Sequence, residues 1–233
     1  MTFPYPLGAI PSKPDSRDYP AAMRLANVPS FTSAYTLPSA FRLTKMPKVL
    51  EQLRGSCMAA TLSAFSMKSE VDEAGVALVP DFEAWYDELA IAQFGAQNDV
   101  GLMARDSIHS MLTQGPPLGV GRRDHSRIDA YYAVPDLMTA RRVIYELRRP
   151  VVLVSNIAAS WGATTAVGQL WPIGSAWVGP HGWLMWGWDD RPTLGNLIRS
   201  SWGTLFGKNG SCYMTNDQWE RSFIEAWHLE SAR

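Results

Sequence analysis

The 233-residue chain has little cysteine, little charge and no long apolar run. Its two cysteines, Cys57 and Cys212, exclude the disulfide framework on which small secreted domains depend, and imply a protein of a reducing interior. Charged residues make up only 18% of the chain and sum to a net −1, so the composition points to no nucleic-acid or anionic-membrane partner. No apolar stretch approaches the roughly 20 residues that span a bilayer. The opening Met1-Thr2-Phe3-Pro4-Tyr5-Pro6 has neither the basic start nor the apolar centre of a secretory signal, and a cytoplasmic location is expected. Among the four histidines, His109, His125 and His228 have no ligand spacing to one another or to a cysteine, so no metal or other cofactor is expected. Gly203 to Lys208 misses the spacing of a phosphate loop, and neither Gly-x-Ser-x-Gly nor His-Glu-x-x-His occurs.

What is present is an ordinary globular composition, 46% apolar, in a chain long enough to bury a full core as one large domain or two lobes. The first half reads as helical. Gly55 permits a tight turn and Ser56 is placed to cap a helix from Cys57 that buries Met58, Leu62 and Phe65 on one face. Asp81 caps a second helix with Phe82, Trp85, Tyr86 and Leu89 inward. A third carries Leu102, Ile108, Met111 and Leu112 inward and ends near Gly115, with Arg105 and Asp106 on a solvated face. Asp136 opens one more, buried along Leu137, Val143, Ile144 and Leu147. Strands follow: Val151 to Val154, the run after His181, and the segments around Ile198 and Tyr213. Helices first and strands later fit an α+β plan.

Cys57 falls in the first turn of its helix, where the macrodipole and free N–H groups favour a thiolate. An isolated cysteine is more often an inert small hydrophobe, so position alone assigns it no chemistry. The partners lie far downstream. Gly179-Pro180-His181-Gly182 precedes the apolar run Trp183 to Trp188 and then Asp189-Asp190, and Ser200-Ser201-Trp202-Gly203 follows a polar turn. Together with Gln52-Leu53-Arg54-Gly55-Ser56-Cys57-Met58-Ala59, these segments resemble the papain-like cysteine peptidases. That family carries Gln-x-x-x-Gly-Ser-Cys-Trp-Ala, a histidine opening a strand, and an Asn-Ser-Trp-Gly. Its histidine and asparagine fall roughly 130–150 residues after the cysteine, and the separations here are close to that.

The resemblance implies a two-lobed papain-like fold, a helical lobe over 45–115 packed on an antiparallel β-barrel lobe over 116–233, with the active-site cleft between them. Residues 1–44 resemble the short lead-in of bacterial and viral members, shorter than a helical propeptide, and a viral or phage origin fits that. The lead-in is expected to pack on the body, either restraining access to the cleft or serving as structure. The resemblance further implies a thiol endopeptidase acting on a peptide or protein, with Cys57 as nucleophile, His181 as its acid–base partner and Gln52 as an oxyanion donor. Trp202 would shield the histidine. Asn98, Asp99, Val100, Gly101 and Pro180 would line the cleft. Two departures stand out: Met58 replaces the tryptophan after the nucleophile, and Ser200 stands where the family has the orienting asparagine. A papain-fold binding or structural protein, or a transamidase using the same thioester, remain the alternatives, and oligomeric state is not legible.

Overall fold

The structure, a computed structural model, describes residues 3–16, 18–26, 36–97, 99–118, 128–174 and 176–231. The chain enters as an extended lead-in, in which β1 (Ala9–Ile10) pairs in parallel with β3 (Leu102–Met103). A short helix α1 (Ala21–Leu25) buries Ala21 and Leu25, and β2 (Ala40–Arg42) runs onto the main sheet. Leu102, expected within a helix, belongs instead to β3, because its N–H is taken by the lead-in carbonyl of Gly8 at 2.8 Å.

Three helices form the first half of the body: α2 (Cys57–Ala74), α3 (Phe82–Phe94) and α4 (Ala104–Thr113). α2 differs from expectation. It buries every residue from Cys57 to Ser69, so it is a central helix surrounded by packing rather than one with a single inward face. Ser56 does not cap it; its hydroxyl donates to Glu83 Oε1 at 2.7 Å. α3 follows the sequence reading, with Asp81 accepting from the Ala84 N–H and Trp85, Tyr86 and Leu89 buried. The N–H of Arg105 at the start of α4 is received by the Ser12 hydroxyl at 2.9 Å. The Arg105 guanidinium, expected on a solvated face, is mostly buried under the lead-in, where it pairs with Asp18 at 2.8 Å and donates to the Lys13 carbonyl.

The second half is a sheet. β4 (Ile128–Ala133), α5 (Leu137–Glu146), β5 (Val151–Ala158), β6 (Trp177–Asp189), β7 (Gly195–Arg199), β8 (Ser211–Met214), α6 (Asn216–Ser222) and β9 (Phe223–Ser231) complete the chain. The strands lie in the order β4-β9-β5-β6-β7-β8, with β2 on β6, and every pairing is antiparallel. Side-chain alternation along β5 explains its unbroken apolar run: Val152 and Val154 join the core around α2, while Val151 and Leu153 join the core under α5 and β7. Gly182 lets β6 pass directly over α2, since a Cβ there would fall 2.7 Å from Met58 Sδ. That close pass brings the His181–Gly182 segment to the start of α2.

Cys212 is buried in β8 and free, as is Cys57. No helix among the described residues is long and apolar enough to cross a membrane. His109 is exposed on α4, whereas His228 is buried, stacked at 5.8 Å on Tyr132, with no hydrogen-bond partner for either ring nitrogen among the described residues. His125 lies outside the described residues.

Burial holds His228 down to about 3, helped by the charges of Arg24 and Arg149, and burial alone does the same to His181. Between about pH 6.5 and 3 the unfolded chain binds protons at these rings that the folded chain refuses, so stability is full above this window and is lost as the pH falls through it. We expect His228→Phe, which keeps the stacked ring without the titration, to reduce the acid slope of the unfolding free energy by up to about 1.4 kcal/mol per pH unit. Urea denaturation from pH 3 to 7 measures this; an unchanged slope would remove His228 as a cause of acid lability.

Candidate active site

Cys57 is the first residue of α2, and the turn before it is held from several directions. The Ser56 N–H closes the turn on the Arg54 carbonyl at 2.7 Å. The Gly55 N–H donates to Asp99 Oδ1 at 2.7 Å, and the same oxygen accepts the Tyr86 hydroxyl at 3.0 Å. Arg54 pairs with Glu83 at 2.8 Å and Asp87 at 2.7 Å and lies over the Tyr86 ring. Tyr86 also accepts the Gly101 N–H at 3.2 Å. Turn 54–56 and rim 99–101 are thus joined through one carboxylate and one phenol.

From the sheet side, the Gly182 N–H of β6 donates to Cys57 Sγ at 3.4 Å. His181, one residue earlier, is fully buried between Trp202 and Trp183, with ring centroids 4.3 and 4.7 Å away. Its Nε2 lies 3.4 Å from Ser200 Oγ, which also accepts the Trp202 N–H at 3.2 Å. Its Nδ1 has no hydrogen-bond partner among the described residues. Gln52 reaches the same place from the loop before the turn: its backbone N–H donates to the Ser201 carbonyl at 2.8 Å, and its side-chain oxygen accepts the Ser201 hydroxyl. This aims the amide nitrogen inward, where it donates to the Arg54 carbonyl at 2.8 Å and the Pro6 carbonyl at 3.1 Å.

The lead-in fills the cleft. Tyr5 stacks on Trp202, the Pro6 carbonyl takes N–H groups from Gln52 and from Trp202 Nε1, and Gly8 passes between Gly55 and Gly101. The fit at Gly8 excludes any side chain, because a Cβ there would fall 1.8 Å from the Gly55 carbonyl oxygen. Gly101, at φ +86, faces the same crossing; its Cβ would meet the Gly8 carbonyl oxygen at 2.5 Å. Cys57 is consequently dry. Burial pushes its thiol up to about 12, against the opposing pull of N–H groups from Gly182 and Gly8. Desolvation thus opposes the thiolate expected from the helix terminus, and burial likewise favours the neutral imidazole of His181.

The structure brings Gln52, Cys57, His181, Ser200 and Trp202 together. The rim residues divide. Gly101 lies against the lead-in and Val100 is about half exposed, but the Asp99 carboxylate is turned to the Gly55 N–H rather than to the cleft. Pro180 pairs with Asn156 within β6–β5. Asn98 lies outside the described residues. Arg54, Tyr86, Glu83 and Ser201 complete the surroundings of the site, and of these only Ser201, adjoining Trp202-Gly203, has a local sequence signal.

No family model and no curated protein matches this chain. Solved structures do. Xylellain, a cysteine protease from Xylella fastidiosa, is 21% identical over 98% of this chain and 97% of its own, with a TM-score of 0.78. A procathepsin B from Trypanosoma congolense is 13% identical over 98% and 87%, at 0.74. Bromelain from Ananas comosus, in complex with the inhibitor E64, is 14% identical over 83% and 99%, at 0.64. The chain has the papain-like fold.

In the native full-length chain we expect Cys57 to react with iodoacetamide at least roughly a hundredfold more slowly than in denaturant, since the thiolate fraction falls tenfold per unit of pKa. Mass-spectrometric mapping of the labelled cysteine tests this. Rapid native labelling of Cys57 would contradict a covered, neutral thiol.

Proposed function

We propose that this chain is a thiol endopeptidase in a latent form, its cleft occupied by its own residues 3–12. The observation that supports the reading is the meeting of two segments at one turn: Cys57 heads a buried helix with the Gly182 N–H of the histidine strand on its sulfur, and the Gln52 amide is tied to Arg54 in the turn before it and to Ser201. In the reaction the Cys57 thiolate adds to the substrate carbonyl carbon, while Gln52 and the Cys57 N–H receive the developing oxyanion. His181 gives its proton to the leaving amine as the C–N bond breaks, leaving a thioester. Water then attacks, His181 takes its proton, and the carboxylate product departs from sulfur. With the lead-in gone, water reaches the pair, the desolvation penalty falls, and the thiolate–imidazolium form becomes accessible.

The lead-in occupies the cleft without resembling a substrate. Because His181 protonates the leaving amine, the C-terminal half of a substrate lies on the imidazole and Trp202 side, and the acyl half lies towards Leu102–Met103. The lead-in has Tyr5 on Trp202 and Ala9–Ile10 on Leu102–Met103, so it runs in the opposite direction. It also presents the sulfur with the Gly8 N–H. A nucleophile facing an amide hydrogen has no carbonyl carbon to attack, which supports occupancy without cleavage. A reading as a non-catalytic papain-fold protein draws support from Ser200, whose oxygen reaches His181 only at 3.4 Å.

Gly8→Ala separates these readings in the full-length chain, because its methyl collides with the Gly55 carbonyl and prevents the lead-in from seating. We expect Gly8→Ala to cleave a broad fluorogenic peptide library under reducing conditions and to take up one equivalent of an epoxysuccinyl peptide at Cys57. Adding Cys57→Ala should abolish both. A folded Gly8→Ala chain that labels with iodoacetamide yet cleaves nothing would favour the binding-protein reading.

Ser200 makes a second test in the same background. Ser200→Ala should lower kcat by about ten- to a hundredfold, against more than roughly 10⁴ for His181→Ala, because an orienting group acts only through its neighbour. Ser200→Asn should widen the pH–rate plateau and leave its maximum equal or higher. A folded but inactive Ser200→Asn would place the orienting group elsewhere.

A further inference from the structure

A second cavity lies away from Cys57. It measures about 830 Å³ and opens between the C-terminal half of α2, strand β2 and the turn that joins α5 to β5. That volume is within the roughly 300–1,000 Å³ of small-molecule sites. Lys68 lines it, roughly three turns along α2 from Cys57. The Lys68 side chain is only 3% exposed, and a single carboxylate oxygen, from Asp72, answers its three N–H donors among the described residues. Arg149 pairs with Glu73 at 3.5 Å and donates to Ser69 Oγ at 3.4 Å. Arg42 and Arg148 line the same cavity and have no carboxylate partner among the described residues. Four cations therefore face two carboxylates, and the lining carries a surplus of two positive charges.

Arg148 occupies a backbone position that does not suit it. It follows the end of α5 with φ +56, in the left-handed region, whereas the chain leaves α2 and α3 through Gly75 and Gly95. The backbone gains nothing from an arginine there, so the side chain is what the position serves. Its guanidinium lies 4.5 Å over the Phe41 ring and 4.8 Å over the Tyr145 ring, and those rings meet edge to face at 79°. The two rings hold the cation without neutralising it. Its N–H groups have no acceptor among the described residues, which leaves a fixed fork for an anion.

We infer that this cavity binds an organic phosphate monoester, with the phosphate held by Lys68, Arg42 and Arg148 and the organic body against Phe41, Leu43 and Leu147. A phosphate near −2 matches the surplus charge and offers three oxygens to three cationic groups, where a carboxylate offers two oxygens and one charge. The apolar walls ask for more than a bare oxyanion. The inference stands apart from the peptidase reading, since no residue of the cavity belongs to the cleft.

Phenyl phosphate is the probe, with inorganic phosphate and benzoate as its two halves, each titrated calorimetrically into the full-length chain at fixed ionic strength. We expect a Kd for phenyl phosphate below roughly 1 mM, and binding at least about tenfold weaker for either half. No saturable binding of phenyl phosphate, or equal binding of either half, overturns the inference. Arg148→Gly relieves the backbone, so its urea midpoint without ligand should equal or exceed the parent's, while phenyl phosphate should bind at least roughly tenfold more weakly. A lower midpoint with binding intact would make Arg148 a structural residue and overturn the site. Arg42→Gln alters an exposed side chain, and should fold as the parent does and weaken binding at least about threefold. Undiminished affinity in Arg42→Gln would place the phosphate elsewhere and overturn the site as well.

Discussion

The site depends on one backbone crossing. At Gly8 the lead-in passes between Gly55 and Gly101 with no space for a side chain, and it closes over Cys57 as it does so. Water is excluded from the sulfur, and the charge states of the site follow from that exclusion. A thiolate and an imidazolium each need solvation or each other, and removing solvent from a pair with a single cysteine and a single histidine favours the neutral forms of both. The Gln52 amide is also engaged, since its nitrogen donates to the Pro6 carbonyl. One steric fit therefore covers the sulfur of Cys57, buries it beside the neutral-favouring surroundings of His181, and engages the Gln52 amide.

Those positions are maintained without a disulfide. The turn before Cys57 is tied to α3 by Arg54 with Glu83 and Asp87 and by Ser56 with Glu83, and to the cleft rim by Asp99 and Tyr86. The Arg54 pairs are about one-third exposed, where isolated ion pairs contribute little. Their weight comes from being linked: one guanidinium, three carboxylates, a phenol and two backbone N–H groups share acceptors, so loss of one member strands its neighbours. Across the cleft, Gln52 and Ser201 exchange a backbone and a side-chain hydrogen bond. The 99–101 rim and Gln52 are thereby referred to the same turn that carries the sulfur.

The sequence announced the parts of this arrangement that depend on local chemistry. Asp81 and Asp136 cap helices because a short acceptor before an apolar-periodic run satisfies free N–H groups, and both do so here. Val151 to Val154 reads as a strand buried on both faces, and β5 is one. Cys57 and His181 stood out through the family resemblance of their segments, and the structure shows a physical basis for the glycines beside them, a tight turn at Gly55 and a close pass at Gly182. What escaped depends on tertiary packing. Ser56 has the right chemistry for a cap, but Glu83 offers its hydroxyl a charged acceptor, which makes the stronger bond. α2 looks one-sided because Thr61, Ser63 and Ser66 read as polar, yet small hydroxyl residues are readily buried in a central helix. Arg105 looks solvated until the lead-in, some ninety residues earlier, arrives over it. Gly8 carries no local sign of its role, since the atoms that forbid a side chain there belong to Gly55.

Under the proposed peptidase reading, Ser200 in place of the asparagine expected from the family resemblance gains a physical meaning from the rings around His181. An orienting residue does two separable things: it holds the plane of the imidazole and it selects which nitrogen carries the proton. Trp202 at 4.3 Å and Trp183 at 4.7 Å and 80° confine the plane by packing, so orientation survives a weak hydrogen bond. Selecting the tautomer is harder for serine. An amide oxygen only accepts, so it requires a proton on Nε2 and leaves Nδ1 free to take one from the thiol. A hydroxyl can accept or donate. When it donates to Nε2 the proton sits on Nδ1, and the imidazole can no longer act as base towards the sulfur. The Trp202 N–H limits this freedom only in part, because it occupies one of two acceptor sites on Ser200 Oγ and leaves the hydroxyl proton unassigned. Once the imidazole is protonated the ambiguity ends, since both nitrogens then donate and Ser200 can only accept. If the chain acts as proposed, the cost of serine therefore falls on forming the charged pair, and much less on a later proton transfer from the imidazolium.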